Sequence, residues 1–225
     1  MKSEVGEERG FLTARYIVML SVFTALSYVL YMFVKFPLPG FPGFLDMQIS
    51  DVPALLAGFM LGPSAGAAVI LIKCLFKIPF TSTACVGELG DIIIGMALVL
   101  PAAFIYKRHR TLKGAVAGLA VGIVTSTAAA VLVNRIILIP AYMKLMFNGN
   151  WEILLNMMRP LFPSITANTF YAYYLPLSVL PFNLLRGIIS AIVTFLLYKS
   201  LERAFDRIMP RKKNRAEQTI HNHNG

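Results

Sequence analysis

Long apolar runs separated by short polar or Pro/Gly-rich connections set the pattern of this chain. They extend from about Tyr16 to Val34, from about Val52 to Leu61, from Ser64 to about Phe80, from Leu89 to Tyr106, from Gly114 to about Ile139, and from about Leu175 to Tyr198. About 20 helical residues span a hydrocarbon core of roughly 30 Å. Lipid cannot satisfy backbone N–H and C=O groups, so segments of this kind cross as helices. The pattern predicts an all-α integral membrane protein, a bundle of six transmembrane helices forming one domain over residues 1–205. A basic, polar cytoplasmic tail over residues 206–225, expected to be disordered, follows. The second run is short for a crossing and ends at Gly62-Pro63. It either spans or forms a re-entrant hairpin with the third, and both arrangements return the chain to the same side.

Two of the connections are long. The first, Lys35 to Ser50, is dense in Pro, Gly and Phe; the second, about Lys144 to Tyr174, holds Trp151 and the cluster Tyr171-Ala172-Tyr173-Tyr174. Aromatic residues of this kind suit a membrane–water interface and equally suit a cap over a site. For the first loop, a lid and a plain connector are both open.

Charge then orients the bundle. The chain has 225 residues, 57% hydrophobic and 14% charged, with a net charge of +10; soluble proteins average about 25% charged. On a soluble protein that excess would suggest nucleic acid, but here Lys and Arg gather on one set of flanks. Of 21 such residues, 14 lie beside the N-terminus, in the Lys107–Lys113 loop and from Lys199 onward, whereas 4 lie in the opposite loops. Positive residues favour the cytoplasmic side, so both termini are expected inside (N-in/C-in), with a lipid bilayer and no nucleic acid as the surroundings. The N-terminal region carries Glu4, Glu7 and Glu8 and lacks a small-residue cleavage pattern, so the first helix is expected to stay in the mature protein. Cys74 and Cys85 are too few for a disulfide framework, and His109, His221 and His223 have no ligand partner at metal spacing. No metal site is expected. No G-x-x-x-x-G-K-[ST] loop occurs, so ATP hydrolysis is not expected of this chain.

Polar groups inside the membrane are costly and mark functional candidates. At about 1.5 Å per residue, Asn183 and Arg186 enter from outside to roughly 12 and 17 Å, three residues apart on one helix face. Glu88 and Asp91 open the fourth segment, also three apart, where acidic groups suit the positive helix end. Asn134 lies high on the fifth segment and Lys73 near the middle of the third. Four segments thus bring polar groups to mid-depth or above, a pattern that fits a cavity open to the outside and closed below. The competing reading pairs Glu88 or Asp91 with Lys73 as a structural ion pair. Arg135 reads as an interfacial snorkeller. The spacings Gly114-xxx-Gly118-xxx-Gly122 and Gly58-xxx-Gly62 read as close helix packing, and Ser21-xxx-Ala25 as a similar patch.

The runs Ile49-Ser50-Asp51-Val52-Pro53-Ala54-Leu55-Leu56, Gly62-Pro63-Ser64-Ala65-Gly66, Val86-Gly87-Glu88-Leu89 and Pro181-Phe182-Asn183-Leu184-Leu185-Arg186-Gly187 resemble the substrate-binding S component of energy-coupling factor (ECF) transporters. They are most similar to its riboflavin-specific members. The resemblance covers about residues 12–200. It implies a six-helix fold with an outward-facing vitamin site under the first outer loop, in a bacterial-type cell membrane. The implied partners are a transmembrane coupling subunit and two ATPases, with riboflavin as cargo and no cofactor. On this resemblance Asn134, Asn183, Arg186 and Glu88 match the family's ligand positions, with Arg186 where lysine is usual. Lys73, Asp91, Leu45, Phe44 and Tyr142 complete the expected site. Ser21 and Ala25 match the positions that meet the coupling subunit, with Ser21 where alanine is usual. An Asn amide can read the uracil-like edge of an isoalloxazine. An S component for another vitamin and a stand-alone facilitator are the alternatives.

Overall fold

The structure is a computed structural model that describes residues 2–42 and 45–208, with side-chain surroundings given for residues 14–42 and 45–200. Phe44 and most of the expected tail, from residue 209, lie outside the described residues.

Helix α1 (Lys2–Phe33) leads into two short strands, β1 (Lys35–Pro37) and β2 (Asp46–Gln48), paired antiparallel with Phe36 opposite Met47. This hairpin adds a small β element to the all-α expectation. Hydropathy gave no sign of it, because three-residue strands carry too little pattern to register. The short helix α2 (Asp51–Met60) follows. Gly62 then turns the chain with φ 115°, a left-handed value open to glycine, and Pro63 starts α3 (Pro63–Lys77). The long helix α4 (Val86–Arg108) comes next, and then α5 (Leu112–Val133), capped by the Thr111 hydroxyl accepting from the Gly114 amide at 3.0 Å. Three short helices, α6 (Ile139–Leu145), α7 (Trp151–Met158) and α8 (Phe170–Tyr174), precede α9 (Leu180–Ile208).

Among the described residues, five stretches are long and apolar enough to cross a membrane: Ala14–Phe33, Pro63–Phe80, Val86–Arg108, Leu112–Leu145 and Phe170–Ser200. The ten residues of α2 reach only about 15 Å. Residues Asp51 to Phe59 are all buried, which explains why α2 is apolar on every side. It packs against α1, α3, α4 and α9. Chain reversal at Gly62 lays α3 back along it, with Gly66 against Ala54 and Gly58.

The fifth and sixth apolar runs extend further than hydropathy suggested. A π-helical turn over Asn134–Leu138 joins α5 to α6, and another over Leu175–Val179 joins α8 to α9. Each ends two residues before a proline, Pro140 and Pro181. Proline has no N–H to give to the carbonyl four residues back, and a wider turn absorbs the broken ladder. Helix α5 lies very close to α4. A Cβ on Gly118 would stand 2.6 Å from the Ala102 carbonyl oxygen, and one on Gly122 would stand 2.5 Å from that of Leu98.

The largest apolar core surrounds α2. It includes Val52, Leu55, Leu56, Phe59, Leu98, Val99, Tyr106 and Tyr198. The Tyr106 and Tyr198 hydroxyls meet within it. A second core, under the long α6–α8 connection, gathers Ile139, Leu154, Met158, Phe170 and Tyr174.

Candidate functional site

The floor of the site is a neutral set of four charges from four helices. Asp51 opens α2 and takes the Lys73 ammonium of α3 at 2.6 Å and the Arg186 guanidinium of α9 at 2.8 Å. Arg186 also donates to Asp91 of α4 at 3.1 Å. Two cations and two anions thus alternate as Lys73–Asp51–Arg186–Asp91. Polar neighbours tie them down further. Asp91 accepts from the Tyr31 hydroxyl at 2.6 Å and from the Gln48 amide at 2.9 and 3.0 Å. Lys73 donates to the Ser50 hydroxyl at 2.9 Å, and Ser27 of α1 donates to the Ser50 carbonyl at 2.6 Å. Charges taken out of water persist when paired and hydrogen-bonded, and this cluster meets both conditions.

Above the floor a cavity of about 150 Å³ opens among α1, α3, α4, the π turn after α5, α6, α8, α9 and the β1–β2 hairpin. Asn134 and Asn183 stand in its wall. Each donates one amide hydrogen to a backbone carbonyl four residues earlier, Asn134 to Ala130 and Asn183 to Val179, both at 2.8 Å. A carbonyl only accepts, so these bonds fix which end of each amide is nitrogen. Asn134 Oδ1 accepts from the Tyr174 hydroxyl at 2.8 Å. Asn183 Oδ1 has no donor among the described residues and is open to a ligand. Arg186, on the same face as Asn183, contributes cationic N–H groups at the edge of the floor.

The roof comes from the loop between α1 and α2. Lys35 and Asp46 pair across the hairpin at 3.7 Å, and Leu45, Asp46 and Gln48 face the cavity. Phe41 rests edge-on against Phe182 of α9 at 5.5 Å, joining the loop to the helix that carries Asn183. Lys77, Thr83 and Tyr142 line the opposite side.

Of the residues expected from sequence, Asn134, Asn183, Arg186, Asp91, Leu45 and Tyr142 come together around one cavity. Lys73 and Glu88 do not line it. Lys73 is fully buried in the floor. Glu88 sits behind the wall, where its Oε2 accepts from the Thr81 and Thr83 hydroxyls at 2.9 Å each and Lys77 stands 3.5 Å from Oε1. The alternative in which Glu88 or Asp91 pairs with Lys73 is corrected: the partner of Lys73 is Asp51. Sequence reasoning gave no role to Asp51, Tyr31 or Gln48, and placed Tyr174 only in an aromatic cluster suited to an interface or a cap. Asp51 carried a readable signal, an acid at the start of an apolar helix. Tyr31 and Tyr174 were hidden inside apolar and interfacial runs. Ser21 and Ala25 are exposed on α1, away from the cavity.

A helical membrane bundle with a packed core and a roofed polar cavity has the architecture of a membrane protein that holds a small ligand. The chain belongs to the family described as the ECF transporter, substrate-specific component, whose model matches residues 15–198. Membership makes it a transport subunit, not an enzyme, in a family to which no cofactor is tied. It is 32% identical over 192 residues to "Riboflavin transporter RibU" of Staphylococcus aureus, covering 85% of this chain and 93% of that protein. It is 28% identical over 189 residues to "Riboflavin transporter FmnP" of Bacillus subtilis, covering 83% and 91%. A solved S component of a bacterial ECF transporter superposes with a TM-score of 0.65 at 30% identity, covering 85% of this chain and 97% of that one.

Proposed function

We propose that this chain binds riboflavin at an outward-facing site and delivers it into the cell as the substrate-specific subunit of an ATP-driven ECF transporter. The single observation that carries the reading is the fixed polarity of the two wall amides beside Arg186. The uracil-like edge of an isoalloxazine presents carbonyl, N–H and carbonyl in a row. Asn183 Oδ1 accepts from the central N–H, and the free N–H of Asn134 and a guanidinium N–H of Arg186 donate to the flanking carbonyls. The names of the relatives support the same cargo. Tyr142 and Leu45 flank the ring; Thr83, Lys77 and Asp46, at the mouth, suit the ribityl hydroxyls. Behind these residues Glu88 holds Lys77, and Lys73 acts on Arg186 through the Asp51 carboxylate they share.

The protein acts in a bacterial cell membrane as a six-helix subunit with both ends in the cytoplasm, α2 counting as the short sixth helix. The Lys and Arg asymmetry supports this orientation. The core around α2 and the buried tetrad block a continuous pore, so release inward requires work. A transmembrane coupling subunit and two ATPases supply it. The small, exposed Ser21 and Ala25 offer the coupling subunit a close helix contact.

The test is direct. Protein purified from cells should be yellow and should quench the fluorescence of added riboflavin with nanomolar affinity, about −12 kcal/mol. Asn183→Ala should weaken binding by at least about tenfold, because it strips an acceptor from a desolvated ligand N–H. A colourless, folded preparation that leaves riboflavin fluorescence unchanged rules the reading out.

A further inference from the structure

Tyr174 stands apart from its aromatic neighbours. Tyr171 and Tyr173 of the same helix α8 are partly exposed. Tyr171 lies 5.3 Å from the Arg135 guanidinium, and Tyr173 touches Phe162. Tyr174 turns inward instead. It is 1% exposed, its ring stacks on Phe170 at 5.0 Å, and it forms part of the cavity wall. Its hydroxyl reaches Asn134 across 40 residues of sequence at 2.8 Å.

Asn134 is 5% exposed. Its amide is therefore held at both ends: the Ala130 carbonyl takes one N–H, and the Tyr174 hydroxyl occupies a lone pair of Oδ1. One N–H remains. A planar amide pinned at two atoms has no freedom left about its last torsion, so the remaining hydrogen has a single direction.

We infer that Tyr174 is a positioning residue for recognition: its hydroxyl locks the Asn134 amide so that the side chain offers a donor, and not an acceptor, to a carbonyl on the edge of the ligand ring. This rests on the flavin reading given above. Without the hydroxyl, Oδ1 loses its buried donor and the amide is tied at one end only. The loose amide then presents donor and acceptor in turn, and the site loses discrimination at one ring carbonyl.

Tyr174→Phe removes one oxygen and keeps the ring on Phe170. Full-length protein in detergent, titrated with riboflavin by fluorescence quenching, should bind about tenfold more weakly than wild type. The visible absorption bands of the bound flavin, which respond to hydrogen bonds at the ring carbonyls, should move toward those of free riboflavin. Tyr173→Phe, which loses a hydroxyl from the same helix away from the site, should change neither. The decisive comparison uses Asn134→Leu. If Tyr174 acts through Asn134, then adding Tyr174→Phe to Asn134→Leu should cause no further loss. That double variant leaves neither partner unsatisfied, so it carries the test even if the single variant does not fold. An added tenfold loss in the Asn134→Leu background, or a Tyr174→Phe variant with wild-type affinity and spectrum, overturns the inference and leaves the flavin reading standing. Wild-type protein that binds no flavin overturns both.

Discussion

Removing Lys73 tests whether the four charges of the floor act as one unit. Lys73 lies 2.6 Å from Asp51, and both side chains are almost fully buried. At that spacing their attraction is about 6 kcal/mol for an effective dielectric of about 20. Desolvation of each ion costs several kcal/mol and offsets most of this. The net gain from having the pair is therefore small, while the loss from breaking it is large. Lys73→Met leaves the set with one cation and two anions at a largely buried site, which should destabilise the fold by about 3–5 kcal/mol. At about 2–4 °C per kcal/mol for a chain of this size, the ligand-free melting temperature should fall by roughly 10 °C. Asp51→Asn alone leaves two cations against one anion and should cost about as much. The double variant Lys73→Met/Asp51→Asn removes one charge of each sign and keeps Arg186 with Asp91 at 3.1 Å. It should lose much less than the sum of the two single changes. The assay is thermal unfolding of the purified protein in one detergent, by intrinsic fluorescence. Single variants that lose under about 1 kcal/mol, or a double variant whose loss equals the sum, would refute the reasoning. Because Lys73 does not line the cavity, riboflavin affinity measured well below the melting point should fall less for Lys73→Met than for Arg186→Met.

Other outcomes follow from the packing. Gly118→Leu puts a branched side chain where even a Cβ would lie 2.6 Å from a carbonyl oxygen of α4, so it should cost about 1–3 kcal/mol or more, read as a lower melting temperature. Phe41→Ala removes the ring seated against Phe182 and should speed riboflavin release several-fold in stopped-flow fluorescence, with association altered less. Ser21→Trp and Ala25→Trp should leave riboflavin binding by the isolated protein unchanged, because both residues lie outside the cavity. The same variants should abolish uptake in cells and co-purification with a coupling subunit; full uptake by both would refute the assignment of that face.

Much of the architecture was legible because membrane insertion is a local property. The transfer free energy of a segment is a sum over its own residues, so hydropathy alone located the long helices and marked the second run as short. The same economy singled out Asn134, Asn183, Arg186 and Asp91, since polar groups that persist in apolar segments have a reason to be there. Gly118 and Gly122 likewise announced close packing, though not that the partner would be the carbonyls of α4. The hairpin over the cavity was not legible, because its pairing of Lys35 with Gln48 depends on backbone contacts across a loop with no periodic pattern. The prolines at 140 and 181 were visible, but whether a lost hydrogen bond yields a kink, a break or a π turn depends on what packs against it.

Sequence by itself determined that this chain lives in a membrane, roughly where it crosses, and which side chains needed burial partners. Tertiary structure alone decided who those partners are. Asp51 and Arg186 meet across 135 residues and Tyr174 and Asn134 across 40. Any of several carboxylates could have answered Lys73, and any of several tyrosines could have turned inward. The choice belongs to the close approach of helices, where a shift of an ångström exchanges one partner for another and no single segment contains the information.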